Sequence, residues 1–183
     1  ALLPKRLKLA RGHHKAMPFD NVPAFSNQLR KMSGVAPAAL EFTILTAARS
    51  GEVLGCQWSE MDLTERVWTV PAGRMKGGRE HRVPLSSRAI QILKAMQTRK
   101  VSEFVLPGSK ADRPLSVMAL EMVLRRAKID ATVHGFRSAF RDWSGERTAF
   151  PREVAEAALA HLVGDQTERA YRRGDALDKR RAL

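Results

Sequence analysis

Apolar residues recur along most of this chain at intervals of three and four, a spacing that places them on one face of a helix. Proline or serine stands near the start of several of these stretches, as is typical of first helical turns and N-caps; examples are Pro37, Ser116 and Pro151. We therefore predict helices within the ranges 22–33, 36–48, 50–58, 86–99, 116–129, 134–148 and 151–162.

The pattern changes between residues 66 and 86, where β-branched residues occur in two short runs. The runs RVWTVP and HRVPLS flank AGRMKGGRE, whose three glycines can turn the chain. This arrangement predicts a small antiparallel sheet, and FVLP is a further short extended run. No period of roughly 20 to 50 residues recurs, which argues against solenoid and propeller folds. The prediction is a mainly α fold with a small antiparallel sheet.

Six large aromatic residues lie in apolar, periodic settings and are predicted to belong to the core: Phe42, Trp58, Trp68, Phe136, Phe140 and Trp143. Residues 1–22 follow neither a helical nor a strand period, so we expect a basic arm or linker there. One domain is predicted over residues 23–183, in which residues 174–183 form a charged tail.

Length and composition agree with a single domain. The chain has 183 residues, 44% of them apolar, which is enough for one hydrophobic core. No apolar run approaches the roughly 18 residues needed to span a bilayer and no signal peptide is recognisable, so the expectation is a soluble, cytoplasmic protein. The single cysteine, Cys56, cannot form an internal disulfide, and no Cys/His cluster has zinc spacing.

Charge points to a polyanionic partner. The 32 Lys and Arg residues exceed the 19 Asp and Glu residues, which gives a net charge of +13. The excess is concentrated near the start, where residues 1–40 contain seven basic residues and only Asp20 as an acid. Such an excess favours DNA or RNA as the partner, although a solvated basic surface is the simpler explanation of the charge by itself.

Four short segments contain the residues with candidate chemistry. Arg49 lies in ARSGEVLGCQW, Lys76 in RMKGGREHRVPL, His134 and Arg137 in HGFRSAF, and His161 and Tyr171 in ALAHLVGDQTERAYRR. Each segment alone has an ordinary structural explanation, because a lone arginine can form a salt bridge, a histidine can cap a helix and a single tyrosine can be buried. Their combination and order favour a shared function.

In this combination the chain resembles the tyrosine recombinases, the phage integrase family, from about residue 37 to residue 175, and especially the integrases of prophages and genomic islands. In that family the first catalytic arginine ends an apolar helix and is followed by an acidic residue and a packed tryptophan, as Arg49, Glu52 and Trp58 would be. A lysine of the family lies on a β-turn of a three-stranded antiparallel sheet, and His-x-x-Arg begins a later helix. His161 and Tyr171 match the Leu-Ala-His and Ala-Tyr-Arg-Arg settings of island-type members.

The resemblance implies a mobile-element integrase that cuts and rejoins DNA through a 3′-phosphotyrosine on Tyr171. Arg49 and Arg137 would clamp the non-bridging oxygens of the scissile phosphate, because a guanidinium binds phosphate bidentately. No cofactor is expected, since the phosphotyrosine conserves the bond energy and ligation then needs neither ATP nor Mg²⁺.

Three further residues would handle protons and the phosphate. His134 would accept or position the proton of the tyrosine, Lys76 would protonate the departing 5′ oxygen, and His161 would hydrogen-bond the scissile phosphate. Glu52 is expected to orient Arg49 or a histidine rather than to act as an acid or base. Five more arginines are either contacts to the DNA backbone or merely exposed charges: Arg74, Arg79, Arg82, Arg172 and Arg173.

The expected partners are double-stranded DNA at attachment sites, three further copies of the protein in a tetramer, and accessory proteins that bend DNA or set direction. Relatives often carry DNA-binding domains before the catalytic domain, and none is visible here. A type IB topoisomerase and a DNA-binding module with a decayed site are the alternatives. A metal-dependent phosphodiesterase using His134, His161 and Asp142 lacks support, because their spacing forms no ligand cluster.

Overall fold

The computed structural model describes residues 14–110, 112–161 and 174–183. In these residues it contains eight α-helices and a three-stranded antiparallel sheet, which confirms the predicted fold class. The elements are α1 Val22–Arg30, α2 Val35–Thr46, α3 Ser50–Leu54, β1 Met61–Asp62, β2 Val67–Val70, β3 His81–Pro84, α4 Ser87–Gln97, α5 Val117–Arg126, α6 Gly135–Arg147, α7 Arg152–Ala158 and α8 Leu177–Ala182.

Helix α2 is the central element, and it contacts α1, α3, α4 and α5. Most of its residues are apolar, so it can be buried on nearly all sides. Its one buried carboxylate, on Glu41, accepts hydrogen bonds from Arg30 of α1 at 2.7 Å and from Arg88 of α4 at 2.9 and 2.8 Å. Burial alone would raise the pKa of Glu41, but the two arginines lower it, so the carboxylate stays charged and ties three helices together.

Several helix boundaries follow from the residues at the ends. The Ser86 hydroxyl caps α4 by accepting a hydrogen bond from the Ala89 backbone N–H at 3.2 Å. Ser116 occupies the N-cap position of α5 but makes no capping hydrogen bond with its side chain, which departs from the prediction. Pro37 lies in the first turn of α2, as predicted, and Pro151 is the N-cap residue of α7.

The sheet has the order β1-β2-β3. Trp68 on β2 is opposite Met61 on β1 and Val83 on β3, and its side chain is completely buried. The residue pattern predicts β2 and β3 but not β1, because a strand of two residues is too short to establish an alternating pattern. Of the six aromatic residues predicted to lie in the core, Phe42, Trp68 and Phe136 are buried, and the other three are half-buried.

The two ends of the described chain both pack on the domain. Met17 is buried in the hydrophobic core, and the Lys15 carbonyl accepts a hydrogen bond from the Thr132 backbone N–H. Helix α8, in the predicted charged tail, contacts β3 and α7 of the same chain. The boundary predicted between residues 22 and 23 stays a prediction. No helix among the described residues is long and apolar enough to cross a membrane.

Candidate active site

Arg49 and Glu52 lie together at the start of α3. The backbone of Arg49 is extended at the N-cap position, and its N–H donates to the Glu52 carboxylate at 3.0 Å. The Arg49 guanidinium donates to the other oxygen of the same carboxylate at 2.8 Å. The side chain of Glu52 is only 5% exposed, whereas that of Arg49 is 26% exposed. Of the two partners considered for Glu52, Arg49 or a histidine, the structure shows a contact with Arg49 that leaves part of the guanidinium open to solvent. The role of Glu52 in orienting Arg49 stays a prediction.

Arg137 is more buried than Arg49, with only 6% of the residue exposed. It lies in the first turn of α6, where its guanidinium donates to the backbone carbonyl of Ala47 and, at 2.6 Å, to that of Leu159. Burial, and then the charge of Arg49, lower the pKa of Arg137 to about 10. The guanidinium thus stays protonated at neutral pH and is held in place before any ligand arrives.

His161 follows α7 and contacts Arg137. Its Nε2 lies 3.2 Å from Nη2 of Arg137, and its Nδ1 lies 2.6 Å from the Glu156 carboxylate. Burial alone would raise the pKa of Glu156, but the hydrogen bond from His161 and the charge of Arg141 lower it. Glu156 therefore remains charged and turns the Nε2 edge of His161 toward Arg137.

His134 immediately precedes α6, and its side chain is exposed and makes no capping hydrogen bond. Partial burial lowers the pKa of His134, and the nearby charges of His14, Arg137, Arg49 and His161 lower it further. At neutral pH the ring is consequently neutral and able to accept a proton. Because the charges of Arg49 and Arg137 lower the pKa of His134, its ring lies near both guanidinium groups.

Lys76 lies on the turn between β2 and β3. The turn is anchored by Met75, which is 8% exposed, and is closed by a hydrogen bond from the Gly78 N–H to the Met75 carbonyl at 3.0 Å. Gly78 adopts a φ of +62°, a conformation that favours glycine. The Lys76 side chain is exposed, and no hydrogen bond or ion pair joins it to another residue that the structure describes. The structure therefore does not bring Lys76 into contact with Arg49, Arg137 and His161, which we call the arginine cluster.

The three hairpin arginines differ in their surroundings. Arg74 is tied down, because its guanidinium donates to the Glu60 carboxylate at 2.6 Å and to the Glu52 carbonyl at 3.1 Å. Arg82 forms two hydrogen bonds with Asp175, at 2.9 and 2.7 Å. Arg79 is exposed. Their roles in DNA binding stay predictions, and Tyr171, Arg172 and Arg173 lie outside the described residues.

Glu156 is a residue of the site that the sequence pattern did not predict. The available signal was a carboxylate on a helix that ends just before His161, at a position where the neighbouring helix residues are apolar. Such a carboxylate can reach back to a histidine after the helix end, but the same pattern also fits an exposed charge. Among the described residues, no three His, Cys, Asp or Glu side chains group as a metal site would require.

Known proteins resemble the chain in both sequence and fold. It is 36% identical over 176 residues to the prophage integrase IntZ of Escherichia coli (strain K12), covering 94% of this chain and 44% of IntZ. The lambda integrase catalytic core has a TM-score of 0.61 at 17% identity and covers 83% of this chain and 94% of that structure. A lambda integrase tetramer bound to a Holliday junction has a TM-score of 0.63 at 17% identity and covers 87% of this chain and 51% of that one.

The chain spans less than half the length of the first curated relatives that it matches. The sequence model of the phage integrase family matches residues 15–176, a range that contains every residue of the cluster described above. The fold, the cluster and this match agree: the chain belongs to the phage integrase family.

Proposed function

We propose that this chain is the catalytic domain of a site-specific recombinase that breaks and rejoins double-stranded DNA through a 3′-phosphotyrosine at Tyr171. The observation that carries the proposal is the cluster of Arg49, Arg137 and His161, in which Arg137 contacts His161 and lies close enough to Arg49 for the charge of Arg49 to lower its pKa. Three groups able to bind one phosphate lie at the ends of separate helices, and two of them are oriented by carboxylates. Such a preorganised arrangement suits the negative charge that develops during phosphoryl transfer.

The proposed cleavage step is an in-line displacement at phosphorus. The Tyr171 oxygen attacks the scissile phosphorus, a new phosphorus–oxygen bond to tyrosine forms, and the bond to the 5′ oxygen breaks. His134 takes the tyrosine proton, and Lys76 gives a proton to the departing 5′ oxygen. Rejoining runs the same transfers in reverse, so the number of phosphodiester bonds is conserved without a metal ion or ATP.

Lys76 must approach the phosphate for this step, because the described structure leaves it exposed on its turn. We propose that bound DNA brings the turn toward the arginine cluster. Arg79, Arg82, Arg172 and Arg173 are the proposed contacts to the DNA backbone. Arg74 fits this role less well than Arg82, because its side chain is 26% exposed whereas that of Arg82 is 45% exposed.

The assembly that we propose is a tetramer on paired DNA sites, with accessory proteins that bend DNA or set the direction of exchange. The support comes from the lambda integrase tetramer on a Holliday junction, whose fold this chain shares. The chain spans less than half the length of these curated relatives. The tetramer and the accessory proteins are therefore proposed for a whole protein that contains such a domain.

A covalent adduct is the direct test. Nicked duplexes with randomised sequence around the nick are incubated with the protein in EDTA, so that a cleaved strand loses its short product and the protein remains attached. SDS-resistant adducts are recovered and sequenced, and the recovered duplex becomes the substrate for all variants. We expect an adduct with the wild-type chain and none with Tyr171→Phe.

Two outcomes contradict the proposal. A chain that binds the duplexes but forms no adduct is a DNA-binding module, and an adduct that persists in Tyr171→Phe requires another nucleophile. Relaxation of supercoiled plasmid without pairing of two sites would indicate the topoisomerase alternative instead.

A further inference from the structure

The N-terminal segment 14–17 runs directly across the start of α6, beside the candidate active site. The Lys15 carbonyl accepts a hydrogen bond from the Thr132 backbone N–H at 3.0 Å and a second one from the Thr132 hydroxyl at 3.3 Å. Met17, two residues later, is buried in the core with 8% of its surface exposed. Two attachments, one polar and one apolar, thus fix the path of this segment.

Gly135 permits this close approach. A Cβ atom at this position would lie 2.0 Å from the Lys15 carbonyl oxygen and 2.9 Å from the Ala16 Cα. Both are backbone atoms, so they could not move aside as the end of a flexible side chain does. Only glycine fits at the residue that follows His134, and the segment is consequently packed against the first turn of the helix that carries Arg137.

This path places His14 against His134. The centroids of the two rings are 4.5 Å apart, and the rings are tilted by 55°. That separation is at the short end of the range for interacting aromatic rings. On its other sides His134 is affected by the charges of Arg49 at α3, Arg137 on α6 and His161 after α7. His14 is thus the neighbour contributed by the N-terminal segment.

We propose that His14 is a positioning residue for His134: the docked segment holds the His14 ring against the His134 ring and restricts the orientations that the His134 ring can take. The inference rests on the proposed function, because orientation matters for the reaction only if His134 handles the proton of the nucleophile. By this proposal the N-terminal segment 14–17 forms one side of the site, although the sequence pattern predicts only a basic arm or linker there.

The contact also affects the charge of His134. Burial and the neighbouring charges lower the pKa of His134, and His14 supplies part of both effects. Removal of the His14 ring therefore exposes more of His134, takes away one neighbouring charge, and raises the pKa of His134. A base with a raised pKa becomes protonated at higher pH, so the rate of cleavage should begin to fall at a higher pH as the solution is acidified.

The test combines NMR with cleavage kinetics on the whole chain. In the wild type we expect a nuclear Overhauser effect between the rings of His14 and His134. In His14→Ala the titration of the His134 ring should move to higher pH, and adduct formation at pH 7 should slow about threefold to tenfold. His14→Phe keeps a ring in place, so it should recover most of the rate above pH 8, and the His134 titration should shift less than in His14→Ala, because the burial is kept and only the charge of His14 is lost.

Lys15→Met is the matched control. It removes the exposed ion pair between Lys15 and Asp130 but keeps the backbone carbonyl that docks the segment, so it should leave both the titration and the rate unchanged. The inference is overturned if His14→Ala leaves the titration of His134 unaltered, or if Lys15→Met alters it as much. The NMR result does not depend on DNA cleavage, so a chain that forms no adduct refutes the proposed function and leaves the contact still testable.

Discussion

The candidate site has two parts that differ in burial: one is buried and held by hydrogen bonds, and the other is mostly exposed. We call Arg49, Glu52, Arg137, Glu156 and His161 the arginine pocket, and residues 71–80 the lysine turn. In the arginine pocket, Arg137 is 6% exposed and bonded to two backbone carbonyls, and the two carboxylates are buried beside their partners. In the lysine turn, by contrast, every residue except Arg74 and Met75 is exposed.

The difference follows from the free energy of burying charge. A buried guanidinium loses its hydration and is stable only when its donors are satisfied, so Arg137 must be fixed by its surroundings. An exposed ammonium keeps its hydration and needs no fixed partner, so Lys76 can move. A phosphate clamp gains from being rigid before the substrate binds, whereas a general acid has to reach an oxygen that departs. The two parts thus match the two tasks that we propose for them.

The largest expected effect comes from breaking the rigid part with Arg137→Ala. We expect adduct formation to fall about a thousandfold, because a preorganised donor to the transition state is lost. The free energy of unfolding should also fall by about 1–3 kcal/mol, since the Ala47 and Leu159 carbonyls lose their donor. Single-turnover kinetics and thermal unfolding measure the two effects.

Arg126→Ala is the matched control for this variant, because it removes an exposed arginine near the end of α5. It should change neither quantity appreciably. If the Arg137→Ala variant were as thermally stable as the wild type, the hydrogen bonds from Arg137 to the Ala47 and Leu159 carbonyls would not stabilise the folded protein, contrary to this prediction.

The second effect separates the lysine turn from the pocket. Lys76→Ala should lower the rate of adduct formation on the order of a hundredfold, with no change in thermal stability, because its side chain is exposed. A substrate with sulfur in place of the bridging 5′ oxygen should restore the rate, since a thiolate leaves without a proton. Lys94→Ala, an exposed lysine on α4, is the control and should react normally on both substrates.

The sulfur substrate decides the role of Lys76. A rate that stays low with sulfur would assign Lys76 to binding or orientation of the phosphate instead of proton donation. The same substrate should not rescue Arg137→Ala, because the clamp acts on the non-bridging oxygens.

The smallest of these effects concerns the orientation of His161. Glu156→Gln should slow adduct formation about tenfold, because a partner that orients a functional histidine is weakened. Glu153→Gln changes an exposed glutamate in the first turn of the same helix and should have no effect. Equal rates for the two variants would mean that the 2.6 Å contact between Glu156 and His161 does not orient the ring.

The pH dependence of stability gives a second measurement on Glu156→Gln. The pKa of Glu156 is lowered in the folded protein, so its stabilising effect is present above its ordinary pKa and is lost as the pH falls through the lowered value. The difference in melting temperature between the wild type and Glu156→Gln should consequently shrink as the solution is acidified.

Much of the fold was predictable because it depends on local patterns. The apolar spacing located all the α-helices that the structure describes between residues 22 and 158, and the β-branched runs located β2 and β3. It did not locate the two-residue strand β1, and it assigned the 50–58 segment to one helix, although α3 ends at Leu54 and a 3₁₀ turn spans Trp58–Glu60. Both misses concern elements too short for a period to be visible.

The motif order in the sequence selected Arg49, Arg137 and His161 together, and it proposed either Arg49 or a histidine as the partner of Glu52; the contact with Arg49 came from the structure. Glu156 and His14 were not identified. His134, the partner of His14, lies on a distant segment, whereas His161 follows Glu156 by only five residues. A single glutamate or histidine in a sequence nevertheless looks the same whether it faces solvent or another side chain of the site. Gly135 gave no signal either, because its requirement comes from the backbone of Lys15 passing above it.

The sequence by itself determined the helical fold, the excess positive charge and the set of candidate residues for the proposed reaction. Only the tertiary structure decided which of those residues are buried and held by hydrogen bonds and which are exposed. Arg137 is held by the carbonyls of Ala47 and Leu159, backbone groups that every residue possesses and that no side-chain pattern reveals. Their positions depend on how the helices pack, so the rigidity of the site is a property of the folded chain.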